Sequence, residues 1–154
     1  RPHPSRVFLF PTLRVILKTM RVYHGTDGTT AHALAANPRL VDVTRGGGEL
    51  GRGFYTGDSV ALAIAWARGR DANGRVLEVE VDTSQYASLA VKTLNWPQVW
   101  TTWQQLFATG QTHTYLFGYD VVYGPLATNQ HVGQHKFESQ AAEKVLQQSA
   151  WRVL

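Results

Sequence analysis

The sequence predicts one domain of mixed helices and strands, the α+β class, and three stretches carry that expectation. Val76-Leu77-Glu78-Val79-Glu80-Val81 places Leu77, Val79 and Val81 on one face at the two-residue period of a strand. Residues 95–110 repeat Trp96, Val99, Trp100, Trp103, Leu106 and Phe107 at three and four, a helical stripe expected to be core, with Asn95 as cap and Pro97 in the first turn. Residues 119–125 read as a buried strand and 134–139 as an alternating run that leads into a capped helix over 140–148. In a chain of 154 residues, one hydrophobic core is expected.

Residues 1–19 hold Pro2, Pro4, Pro11, four cations and no acid, and are read as an extension upstream of a natural start at Met20. Their apolar stretches, 7–10 and 15–17, are too short to span a membrane, and no small-residue cleavage site marks a signal peptide. Residues 20–154 then form the domain. Val22-Tyr23 closes a strand, His24 follows, and Gly25-Thr26-Asp27-Gly28 reads as a turn. Residues 29–36 form a short helix before Pro38. In Gly51-Arg52-Gly53-Phe54-Tyr55-Thr56-Gly57 a short strand sends Phe54 and Tyr55 to opposite faces, one into the core and one toward a cleft. Asp58 or Ser59 caps the next helix, which carries Trp66 and stops at Gly69.

Residue chemistry excludes several functions. Gly46-Gly47-Gly48-Glu49-Leu50-Gly51 satisfies a dinucleotide fingerprint in form, but no helix follows to receive a pyrophosphate, and no Lys-Ser/Thr completes a P-loop. These glycines read as a mobile loop beside the cleft, with Arg45 and Arg52 within reach of a diphosphate. His113, His131 and His135 lack cysteine or carboxylate partners at ligand spacing, so no metal is expected. With no cysteine, thiol chemistry and disulfides are excluded, and a cytoplasmic setting is expected. The net charge of +4 suits acidic partners, though no basic run singles out nucleic acid.

The pair His24-Gly25-Thr26 and Gly51-Arg52-Gly53-Phe54-Tyr55, with Trp66 eleven residues beyond Tyr55, resembles the first two motifs of the ADP-ribosyltransferase superfamily in its diphtheria-toxin and poly(ADP-ribose)-polymerase branch. Residues 119–125 and 134–146 are similar to the C-terminal half of a small bacterial subgroup often encoded beside an antitoxin, in which Gln opens the last motif. The resemblance implies a split β-sandwich with peripheral helices and NAD+, the substrate, in the cleft. It implies a cofactor-binding set of His24, Gly25, Thr26, Tyr55, Trp66 and Arg52. His24 would meet the adenosine-side ribose, the Gly25 backbone the carboxamide, and Tyr55 and Trp66 the nicotinamide ring. The implied catalytic residues are His24, Tyr55 and Gln134, with Glu138 as runner-up about 13 Å along the same strand face.

The implied activity is mono-ADP-ribosyl transfer to a protein or nucleic-acid acceptor, by a bacterial toxin neutralised by an antitoxin protein and without membrane association. A Gln accepts a hydrogen bond but brings no charge and is no general base. One alternative is therefore a catalytically weak module binding NAD+ or ADP-ribose; the other, with water as acceptor, is an NAD+ glycohydrolase. An RNA 2′-phosphotransferase is disfavoured, because Tyr23 and Gly25 stand where basic residues are wanted.

Overall fold

The computed structural model describes residues 18–154, so most of the expected extension lies outside the described residues. The chain runs β1 (Thr19–Thr26), α1 (Gly28–Ala36), a 3-10 turn (Pro38–Leu40), β2 (Phe54–Gly57), α2 (Val60–Arg70), β3 (Arg75–Asp82), α3 (Thr83–Ala87), β4 (Val91–Thr93), α4 (Trp96–Ala108), β5 (Val121–Pro125), β6 (Gly133–Phe137), α5 (Gln140–Gln147) and β7 (Ala150–Val153). The fold is α+β. A seven-stranded sheet has the order β4-β5-β6-β2-β1-β3-β7, antiparallel throughout except for the parallel pair β4/β5. The first strand begins at Thr19, and the Lys18 carbonyl already accepts from the Thr83 amide and hydroxyl.

In place of two separate sheets, the hydrogen-bonded order is continuous but nearly interrupted at one position. β1 and β3 share eight registered pairs, from Thr19↔Asp82 to Thr26↔Arg75, whereas β1 and β2 share the single pair Tyr23↔Gly57. Two blocks, β4-β5-β6-β2 and β1-β3-β7, therefore meet at one rung.

Hydrophobic burial joins what the ladder does not. One face collects Val22, Leu77, Val79 and Val81 of the second block with Val121 and Phe137 of the first, under Ala31 and Leu34 of α1 and Ala142, Val145 and Leu146 of α5. Each fully buried Val, Leu or Phe contributes about 1.5–3 kcal/mol, so this cluster holds the blocks together across the weak rung. The opposite face of the first block carries a smaller cluster of Leu50, Leu94, Val99, Val122 and Ala127.

Local signals explain the helices. Asp27, Ser59, Asn95 and Ser139 each accept an amide hydrogen bond at the N-cap of α1, α2, α4 and α5. Several expectations change. β1 runs on through Gly25 to Thr26 where a turn was expected, and positive φ occurs among the described residues only at Gly51, Gly110 and Gly118. α2 passes Gly69 and ends at Arg70, because the Asp71 amide still bonds the Ala67 carbonyl. The α4 stripe is only half core: Val99 and Leu106 are buried, but Trp100 and Phe107 are 40% and 75% exposed. No helix among the described residues is long and apolar enough to cross a membrane.

Candidate active site

The one-rung junction turns the backbone of Gly25 outward. The Leu154 amide donates to the Val76 carbonyl at 2.9 Å, so Val76 directs its polar groups toward β7. In an antiparallel ladder the N–H and C=O of one residue face the same side, and Gly25↔Val76 is therefore a non-hydrogen-bonded pair. The amide and carbonyl of Gly25 face the β2 side, beyond the last registered rung. A glycine is required there by close approach: a Cβ would stand 2.7 Å from the Ala63 carbonyl oxygen and 3.2 Å from the Ala67 Cβ of α2.

His24 crosses the opening from the other face. Its Nδ1 lies 2.6 Å from the Tyr55 carbonyl, and its ring stacks on Phe54 at 4.2 Å. A carbonyl only accepts, so Nδ1 carries the proton and the neutral ring leaves Nε2 as an acceptor. Burial lowers the imidazole pKa below its ordinary value, and the bond to Tyr55 offsets that only in part.

Beside Gly25, a cavity of about 330 Å³ is lined by Gly25, Thr26 and Asp27 of the β1 end and by Trp66, Ala67, Arg70 and Asp71 of α2. Trp66 is 59% exposed, and the Arg70 guanidinium lies 4.7 Å from its ring centroid. Gly25, Thr26 and Trp66 thus come together, with Arg70 as a cation that the sequence did not single out.

Tyr55 sits on the face opposite Phe54, as alternation requires, but it packs against the smaller cluster and does not line this cavity. Its hydroxyl donates to the Gly51 carbonyl at 2.6 Å and accepts from the Leu50 amide at 3.0 Å. Gly48 lies flat on the ring, where a Cβ would come within 2.9 Å of Cζ. Burial holds the phenol well above its usual range. The glycine-rich loop is consequently a fixed wall, anchored by fully buried Leu50 and by the Gly48 amide on the Thr112 carbonyl.

Gln134 is registered with Gly57, which is registered with Tyr23, so β6, β2 and β1 bring the three predicted stretches side by side. Registered residues share a face. Gln134, Tyr55 and Gly25 therefore lie on one face and the His24 ring on the other. The Gln134 amide nitrogen donates to Glu49 Oε1 at 2.8 Å and to the Pro125 carbonyl at 3.3 Å. Glu49 Oε1 also accepts from the Ala127 amide at 3.0 Å. Glu138 is committed elsewhere: its carboxylate accepts from the Phe117 and Gly118 amides and pairs with buried Lys136. Burial lowers the Lys136 pKa despite that partner. Arg52 adds its charge beside Lys136, and its buried Nε has no acceptor among the described residues. Arg45 pairs with Asp42 at 3.1 Å and lines a separate hollow with residues of α5.

On the opposite face of β6 lies a network that sequence reading missed. His135 Nε2 is 3.0 Å from Asp58 Oδ1, its Nδ1 is 3.0 Å from the Tyr86 hydroxyl, and Tyr123 donates to Asp58 at 2.9 Å. Burial works to raise the Asp58 pKa, but the bonds from His135 and Tyr123 leave it below the ordinary value. Burial pushes Tyr86 up to about 12. Both ring nitrogens of His135 are thus engaged, one with Asp58 and one with Tyr86, while His131 is exposed and His113 lies against Gly47. Neither Glu49 nor Arg70 had a local signal, since each gains meaning only from a contact made by the fold. Comparison with protein-family models finds no match to this chain, and comparison with curated proteins finds none either.

Proposed function

We propose that the protein is a mono-ADP-ribosyltransferase, which cleaves the bond between nicotinamide and ribose in NAD+ and transfers ADP-ribose to a macromolecule. The observation that carries this reading is the outward-facing amide and carbonyl of Gly25 at the one-rung opening, next to the cavity lined by Trp66. A carboxamide offers one donor and one acceptor edge, and a strand residue beyond its last rung matches both at once. Trp66 supplies a ring for stacking, and Arg70 supplies a cation for the diphosphate. In this reading His24 is a positioning residue that ties β1 to the Tyr55 carbonyl and fixes the Gly25 edge from behind. Tyr55 is the rigid wall, and Gln134 accepts the hydroxyl of the nicotinamide-side ribose.

As the bond from C1′ to nicotinamide breaks, its electron pair leaves with the neutral base and the sugar develops positive charge. A hydrogen bond from the 2′-hydroxyl to Gln134 tightens in that transition state. The acceptor's nucleophile then bonds C1′ and releases its proton to solvent. A toxin acting on a protein or nucleic acid and held in check by an antitoxin belongs to this proposal. Gln134 favours one second reading, a binding module with weak or no turnover, because its amide brings no charge of its own.

The test is incubation of cell extract with the protein and isotopically labelled NAD+, followed by mass spectrometry. The expected result is nicotinamide release with a labelled adduct, weakened when Trp66, which is exposed beside Gly25, is replaced by Ala. Free ADP-ribose without an adduct would assign the glycohydrolase reaction. Tight NAD+ binding without release would assign the binding module, and no interaction with NAD+ would end the proposal.

A further inference from the structure

We propose that Glu49 is the positioning residue that lets Gln134 work in place of a carboxylate, with charge supplied by the glycine-rich loop and the acceptor oxygen by the strand. This rests on the reading of an NAD+-cleaving site. A free glutamine amide has two orientations, and in one of them it presents donors where a ribose hydroxyl must donate. Here the choice is forced. The Pro125 carbonyl only accepts, and Glu49 Oε1, which takes the Ala127 N–H, is a second acceptor, so both must face the amide nitrogen. The carbonyl oxygen of Gln134 turns the other way, and it accepts from no group among the described residues. Next to Gln134 on β2 stands Gly57, where a Cβ would meet only the Gly133 carbonyl oxygen, at 3.8 Å, so there is room beside the amide.

Glu49 also acts through its charge. A carboxylate bonded to an amide N–H draws the amide's polarisation toward itself and makes the carbonyl oxygen a stronger acceptor. The pair then presents an oxygen that responds to positive charge at C1′ better than a lone glutamine would. The loop holds Glu49 in register, because the neighbouring Leu50 is fully buried and Gly51 and Leu50 bracket the Tyr55 hydroxyl.

A charge swap tests this, with kcat and KM for nicotinamide release measured on wild type, E49Q, Q134E and the double variant, and urea denaturation of each as a check on folding. E49Q keeps an acceptor for Ala127 but loses the charge; the expected result is about a 10-fold loss in kcat with KM within about twofold of wild type. Q134E sets two carboxylates against each other and is expected to lose activity. The double variant returns a donor to the loop and charge to the strand, and is expected to recover most of the wild-type kcat. An active wild type whose kcat is unchanged in E49Q, or single losses that simply add in the double variant, would overturn the role of Glu49 alone. A wild type that releases no nicotinamide would overturn the parent reading as well.

Discussion

His24 holds a proton on Nδ1 for the Tyr55 carbonyl and resists a second one on Nε2, because its partly buried setting disfavours the charged ring. The folded pKa lies below the ordinary 6.5 that the unfolded chain keeps, so the unfolded state binds the extra proton first. Stability is complete above pH 6.5 and declines as pH falls from there toward the folded pKa. The expected result is a melting temperature that drops between pH 7 and 5.5 in wild type and drops less in His24→Asn, whose amide still donates to Tyr55. Asp27, Asp42 and Asp58 also have lowered pKa values, but their window opens only below their ordinary 3.8, so the two effects separate in a pH series. At this scale the sequence pointed to His24, Gly25 and Gln134 because each stands in a motif. It was silent on Glu49, which meets Gln134 across 85 positions of chain.

Among the elements, α4 shows how far a local signal reaches. Asn95 caps it and Gln98 reaches back to the Asn95 amide at 2.9 Å, a reciprocal arrangement spelled out by residue type and spacing. Asn95→Ala is expected to cost about 1 kcal/mol, read as a shift of the urea midpoint without a change in slope. Caps and turn residues likewise made α1, α2 and α5 readable. The strands β4 and β7 were not, for a physical reason: Val91-Lys92-Thr93 and Ala150-Trp151-Arg152-Val153 are too short to show a period and exist because β5 and β3 offer them a ladder. Gly69 misled for the converse reason. It meets nothing within 4 Å in the helix, so glycine costs propensity there without forcing a stop. Phe107 fitted the apolar stripe yet stands outside, since α4 lies at the sheet margin and buries only Val99 and Leu106 completely.

At the scale of the molecule, two blocks of strands are joined by one rung, one imidazole and a shared core. Local opening follows the weakest hydrogen-bonded contact, so amide hydrogen exchange at Phe54–Gly57 is expected to be faster than in β3. His24→Ala should speed exchange in β2 further while leaving the middle of β3 unchanged. Equal acceleration in both strands would mean that His24 supports the whole fold and not this junction. The sequence conveyed the α+β class through its periods, but not the continuity of the sheet, because a single rung carries no pattern.

The order of the strands leaves β4 and β7 at the two borders. Each is brief, and each carries a cation, Lys92 over the Tyr119 ring and Arg152 paired with Glu78. Such borders discourage a visiting chain from extending the ladder. A second copy of this chain that meets either border therefore gains little by adding a strand, and self-association through the sheet edges is disfavoured.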